Sequence, residues 1–255
     1  MKFVLLTFSL FILLSCTTET KKEENYIYVN NQTDFDTYKN SEFDPGTHIF
    51  IAAGKSFNGQ FAPTGSGTKE NPIKLTAYDP DSKKIFWDAI DNKPIINGHG
   101  KVNSSFYLLN GQYWEINNLE LTNTDGTDED QGNLRGIYIE AKDAGIMNDV
   151  TVRNCYVHDV NGKVAGKKRG GIHVHVTGDS IPTKFHNLLI ENNTVKYVGG
   201  VGIGNTSSWG DIHSKAYFPW TNFAIRGNRV EHTGRNGIIA RVGLDQLVEY
   251  NVLAY

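Results

Sequence analysis

One short pattern recurs along this chain and limits what it can fold into. Val152-Arg153-Asn154-Cys155-Tyr156-Val157 matches Ile116-Asn117-Asn118-Leu119-Glu120-Leu121, and matches it again at Ile190–Val195 and Ile225–Val230. A partial copy begins at Val248. The four full copies are followed by Gly136-Ile137, Gly171-Ile172, Gly202-Ile203 and Gly237-Ile238. Self-similarity at a period of tens of residues marks a repeat architecture, in which each unit buries its apolar residues only by stacking on its neighbours.

The spacing identifies the repeat. From Ile225 to Val248 is 23 residues, whereas the earlier copies lie 36, 38 and 35 residues apart, with the surplus in loops 125–134, 161–169 and 205–221. A unit of three short strands and no helix is one coil of a single-stranded parallel β-helix, so the expected class is all-β. The Leu ladder of a leucine-rich repeat is absent. Asn at the corner suits a left-handed backbone and side-chain-to-backbone hydrogen bonds. Ahead of the coils, Tyr26 to Asn30 reads as a strand, Thr33 to Lys39 as a short helix capped by Thr33 or Asp34, and residues 26–48 as a small N-terminal cap. The last coil opens at Gln246 and has no polar cap after it, so the expectation is a solenoid whose C-terminal coils are missing.

Strand alternation sorts the side chains. Ile137, Ile139, Ile172, Val174, Val176 and Ile238 point inward. Tyr107, Tyr138, His173, Gly204 and Ile239 form one outer row, and Leu109, Glu140, His175, Thr206 and Arg241 the next. With strands about 4.8 Å apart, Glu140 to Arg241 spans roughly 14 Å, a few sugar rings. Two outward histidines suit proton transfer or substrate hydrogen bonding near neutral pH. Glu140, His173, His175 and Arg241 are therefore the candidate catalytic set, with His173 first for proton transfer. Tyr138 stands beside them. Loop 161–169 carries Lys167, Lys168 and Arg169, which either neutralise an acidic sugar or sit as solvated charge. Loop 205–221 carries Trp209, Asp211, His213 and Trp220, whose aromatics either stack on sugars or pack the loop down. For hydrolysis, the available carboxylates are Glu140 and Asp211.

The N-terminus reads as a leader. Lys2, an apolar run from Phe3 to Leu14 that is too short to span a bilayer, and Leu13-Leu14-Ser15-Cys16 make residues 1–15 a signal peptide. The junction resembles the lipobox of bacterial lipoproteins. That resemblance implies lipidation of Cys16, a polar tether over 16–25, and a site in the cell envelope, on the outer membrane or surface of a Gram-negative bacterium. The other cysteine, Cys155, then has no partner for a disulfide. A net charge of −3 with mixed signs gives no argument for nucleic acid or an anionic membrane surface.

The order PGT-x-I, GSGT-x-x-NPI-x-L-x-A-Y, KPIINGHG and YWEINNLELTN resembles the pectin-lyase-like right-handed β-helix superfamily, across residues 26–255. Within it, the chain is similar to the chondroitinase-B and alginate-lyase-like enzymes and to Bacteroidetes-type β-helix lipoproteins. The resemblance implies a right-handed coil and a polysaccharide or oligosaccharide substrate in a groove on one sheet, with calcium as a possible cofactor. Arg241 stands roughly where the alginate-lyase-like enzymes have Arg-His-Gly, but Val242 replaces the His. Two classes remain open. One is a polysaccharide lyase or glycoside hydrolase acting on an acidic glycan; the other is a non-catalytic glycan-binding lipoprotein.

Overall fold

The computed structural model describes residues 25–127, 132–162, 164, 166–213 and 216–254, so the leader and Cys16 lie outside the described residues. The described strands form three sheets of eight, seven and five strands. Each complete coil gives one strand to each sheet in turn: Ile146–Arg153, Tyr156–Val160 and Gly170–Thr177, then Lys184–Glu191, Thr194–Val198 and Val201–Ser207. Strands stacked within a sheet pair in parallel. The molecule is a right-handed parallel β-helix.

Its register follows the sequence columns. Ile116, Val152, Ile190, Ile225 and Val248 are successive partners in the first sheet. Ile116, Val152, Ile190 and Ile225 are buried, as are Ile137, Ile139, Ile172, Val174 and Val176 in the third sheet. Each fully buried aliphatic contributes about 1.5–3 kcal/mol relative to exposure.

Two corners pin this register. Between the first and second sheets, Asn118, Asn154 and Asn192 adopt left-handed backbone with φ of 53–54°, and Gly227 does so at 65°. The residue after each corner builds a ladder. Cys155 N–H donates to Asn193 Oδ1 at 2.9 Å, and Asn193 N–H donates to Asn228 Oδ1 at 2.9 Å. Asn193 Nδ2 donates back to the Val152 carbonyl and Asn228 Nδ2 to the Ile190 carbonyl, both at 3.0 Å. Cys155, beside this ladder, is buried, and burial pushes its thiol up to about 12. At the corner between the second and third sheets, the Gly-Ile repeat has a steric cause. A Cβ on Gly136, Gly171 or Gly202 would lie 2.2–2.4 Å from a methyl of Val157, Val195 or Val230. The repeated glycine lets the second sheet's valines reach the third sheet's backbone.

At the N-terminal end, Tyr26–Val29 pairs with His48–Ala52 in the first sheet. Helix Gln32–Tyr38 lays Phe35 on Phe57 and Phe61, with ring centroids 5.4 and 5.6 Å apart. The cap of this helix is Asn31, not Thr33 or Asp34. Asn31 has extended backbone and its side chain accepts from the Asp34 N–H at 3.0 Å, closing an open amide of the first turn.

The ladder makes a stability prediction. Asn193→Ala leaves the buried Cys155 N–H and Val152 carbonyl without their side-chain partner. At about 1–3 kcal/mol per unsatisfied group, the expected loss is about 2–6 kcal/mol, read as a lowered denaturant midpoint. The exposed Asn103→Ala, outside the ladder and with ordinary backbone, serves as the control and should move the midpoint little.

Candidate functional site

The outer face of the five-stranded sheet collects the chemistry-bearing residues. Tyr107 pairs with Tyr138, Tyr138 with His173 and His173 with Gly204; one place further on, Leu109 pairs with Glu140, Glu140 with His175 and His175 with Thr206. The Tyr107 and Tyr138 rings stack with centroids 5.2 Å apart and planes 16° apart. Glu140 is half-buried and accepts from the Tyr107 hydroxyl and from Thr177 Oγ1, each at 2.7 Å. Burial, reinforced by the Glu140 carboxylate, pushes both tyrosine hydroxyls well above their ordinary range. Both stay protonated at any physiological pH, and Tyr107 and Thr177 fix the orientation of Glu140.

The histidines differ from the expectation of two accessible rings. His173 is 0% exposed and His175 2%. His173 Nε2 lies 3.3 Å from the Val201 carbonyl, and its ring meets His175 edge-on at 5.6 Å. Gly204, its partner in the next coil, explains the burial: a Cβ there would sit 3.2 Å from His173 Cε1, so the missing side chain is what admits the ring. His175 packs edge-on against Tyr138 at 5.1 Å. Desolvation, followed by the positive charge of Arg135, holds His173 down to about 3. Desolvation, His173 and nearby cations hold His175 down to about 2. Both rings are neutral and shut away from solvent.

Arg135 is the residue that sequence reasoning missed. It is buried, with its guanidinium 4.1 Å from the centre of the Tyr138 ring and Nη1 donating to the Asn133 carbonyl at 3.1 Å. The available signal was its column. Arg135 pairs with Gly170, which offers no side chain, so the arginine has room to fold over the tyrosine three residues on.

The loops divide. Lys167 and Lys168 are exposed and Arg169 is half-buried. Arg241 is exposed at the far end of the row, with its Nε donating to the Asn205 carbonyl at 3.2 Å and its N–H to Asn205 Oδ1 at 2.9 Å. Trp209 and Trp220 do not form a stacking platform, because both are buried. Trp220 lies edge-on between Phe185 and Phe223 at 5.0 and 5.7 Å, where its large apolar area packs the loop onto the coil. Asp211 and His213 are exposed, joined by the His213 N–H donating to Asp211 at 2.9 Å. The structure thus gathers Tyr138, Glu140, His173 and His175, and leaves Asp211 and His213 on a separate exposed loop. Among the described residues, no group of three or more His, Cys, Asp or Glu side chains stands close enough together to hold a metal ion.

The buried histidines predict a pH dependence. Above about 6.5, the ordinary imidazole value, folded and unfolded chains both carry neutral rings. Below it, the unfolded chain takes up two protons that the folded chain refuses until about pH 3, so stability falls as pH drops. The slope should approach 1.4 kcal/mol per pH unit for each ring, or about 2.7 for the pair. Denaturation series between pH 6.5 and 5 should show this slope, and the double variant His173→Gln/His175→Gln should flatten it.

Comparison with known proteins adds to this geometry. No protein-family model matches the sequence. A lacto-N-biosidase of Bifidobacterium longum subsp. longum is 26% identical over an alignment that covers 83% of this chain and 17% of that protein. The GH136 lacto-N-biosidase of Eubacterium ramulus, solved as a selenomethionine derivative, superposes with a TM-score of 0.67 at 19% identity, covering 85% of this chain and 43% of that one. Its native form gives 0.64 at the same identity. The chain spans less than a fifth of the curated relative and under half of the solved protein, and the structural likeness establishes a shared β-helix.

Proposed function

We propose that this chain is the β-helix part of an exported carbohydrate-active protein that degrades a glycan, and that it does so by hydrolysis. One observation carries the reading: Glu140 is held by two hydroxyl donors beside the stacked Tyr107–Tyr138 pair, on the outer face of the sheet. Glycosidic hydrolysis needs a carboxyl group in fixed orientation at the bond to be cleaved and a second across the sugar. Glu140 takes the first role in this proposal; Asp211, on a separate exposed loop, is not gathered with it, and the second carboxyl group is not assigned. An aromatic pair gives a sugar ring an apolar face to lie on. The similarity to a lacto-N-biosidase, a glycoside hydrolase, supports the same class.

Elimination would instead need a base that reaches the proton beside a uronate carboxylate. His173 and His175 are the residues proposed for that role, and their burial favours hydrolysis over it. The charge around the face favours an acidic glycan: Lys167, Lys168, Arg169 and Arg241 border it, and Arg135 lies within it. Cations so placed pair with a sugar carboxylate or sulfate.

The test is a panel of acidic and neutral glycans assayed for reducing ends and for unsaturated product. Glu140→Gln should lower reducing-end release by about 10²–10⁴-fold, the usual worth of a positioned acid or base, while glycan is still bound. Full activity in that variant would remove Glu140 from the mechanism. Unsaturated product from the parent protein would replace hydrolysis with elimination, and binding without either signal would make this a glycan-binding protein.

The Leu13-Leu14-Ser15-Cys16 junction supports a lipid anchor on Cys16 in the cell envelope. Cys16→Ala should move the protein from the membrane to the soluble fraction, and unchanged fractionation would contradict the anchor.

A further inference from the structure

A second face of the solenoid carries features that packing alone does not explain. At the outer corner between the second and third sheets, three successive coils each carry an extra residue with left-handed backbone: Asp159 at φ 47°, Tyr197 at 53° and His232 at 46°. The pairing skips them. His158 and Val160 pair with Lys196 and Val198, which pair in turn with Glu231 and Thr233. The skipped residues are therefore pushed outward as a column. Asp and His enter this conformation readily, but for a bulky residue such as tyrosine it is a true outlier. Unfavourable backbone that persists clusters at functional sites.

The column borders a groove of about 920 Å³. On one wall the Tyr197 and His232 rings lie parallel, 1° apart, with centroids at 4.7 Å. Tyr197 is 50% exposed, so half of a large aromatic surface faces solvent. On the other wall, His158 is gripped from both sides. Its Nε2 lies 3.0 Å from Glu120 Oε1 and its Nδ1 lies 2.6 Å from Asp159 Oδ2. Its ring also stacks on Tyr156 at 4.2 Å. Burial works against its protonation, yet the two carboxylate partners raise its value overall. Along the floor, Thr124 Oγ1 donates to Asn161 Oδ1 at 2.6 Å, and Asn161 Nδ2 donates to Asp125 Oδ1 at 2.8 Å.

We infer that this groove is a binding subsite for a neutral oligosaccharide, separate from the face that carries Glu140. A pyranose presents an apolar face of C–H groups and a rim of hydroxyls. The parallel Tyr197–His232 surface suits the first, and the Thr124, Asn161 and Asp159 oxygens suit the second. Charge gives an acidic ligand little to pair with: Asp159 lines the groove, and the nearby Arg235 donates to the Val164 carbonyl. Glu120 and Asp125 bond the lining residues His158 and Asn161 from behind, and the cations His158 and Lys196 are already paired with Glu120 and Glu231. The inference takes its ligand class from the carbohydrate reading but rests on a different set of residues. In this arrangement one protein holds glycan at two places around its girth, with loop 161–169 between them.

The test uses substitutions that should not harm folding. Asparagine is at home in left-handed backbone, so Tyr197→Asn and His232→Asn remove the rings while keeping or raising the melting temperature. Chitotetraose and cellotetraose serve as neutral probes and oligogalacturonate as the anionic one, titrated by nuclear magnetic resonance against the full-length protein. Saturable binding of a neutral tetrasaccharide is expected, weakened about tenfold or more by Tyr197→Asn without loss of thermal stability, and with its Tyr197-dependent part unchanged in Glu140→Gln. The inference is overturned if neither neutral probe binds, if Tyr197→Asn binds them as tightly as the parent, or if oligogalacturonate is the ligand that loses affinity. Tyr197-dependent binding in a protein that hydrolyses nothing would leave the groove standing and remove the hydrolase reading. Hydrolysis with no Tyr197 dependence would do the reverse.

Discussion

Coil-on-coil register is the constraint on which this structure depends. Side chains in a strand alternate with a period of two, so a slip of one residue would exchange the inside of the solenoid for its outside. Backbone pairing alone is indifferent to such a slip. Two devices oppose it here. The asparagine ladder gives Cys155, Asn193 and Asn228 backbone amides a side-chain acceptor only in the observed register. The Gly-Ile repeat admits Val157, Val195 and Val230 only where a glycine faces them. One corner is fixed by hydrogen bonds and the other by shape.

That register also decides where chemistry can occur. Because columns persist from coil to coil, residues some 35 positions apart become neighbours: Tyr107 with Tyr138, Glu140 with His175. Loops leave at the corners and wall the sheets without disturbing them. Lys168 of loop 161–169 acts on His175 of the third sheet, while Asn161 and Gly162 border the groove beside the second. The two flanks therefore differ in electrostatic character. Arg135, Lys168 and Arg241 act on the first, and hydrogen-bonded carboxylates line the second.

Much of this was legible because it is periodic. The column of Ile116, Val152, Ile190, Ile225 and Val248, the outer rows and the glycines all announce themselves by repetition. What was not legible depends on single, non-repeating neighbours. Nothing local says that His173 is buried; the room for its ring comes from Gly204 one coil on. Trp209 and Trp220 sit in a loop whose composition suits a sugar platform as well as a packed plug, and only the contact with Phe185 and Phe223 separates the two. The Tyr197 column was hidden because an inserted residue breaks the alternation from which outward positions were read.

The central claim is that the third sheet presents Glu140 to a glycan lying on the Tyr107–Tyr138 pair. A crystal structure of the Glu140→Gln protein soaked with an oligosaccharide that the parent cleaves tests this most directly. The account predicts a sugar ring stacked on those two tyrosines, with the position-140 side chain within hydrogen-bonding distance of the glycosidic oxygen or the anomeric carbon. A ligand whose scissile bond lies elsewhere on the solenoid, out of reach of position 140, would contradict it.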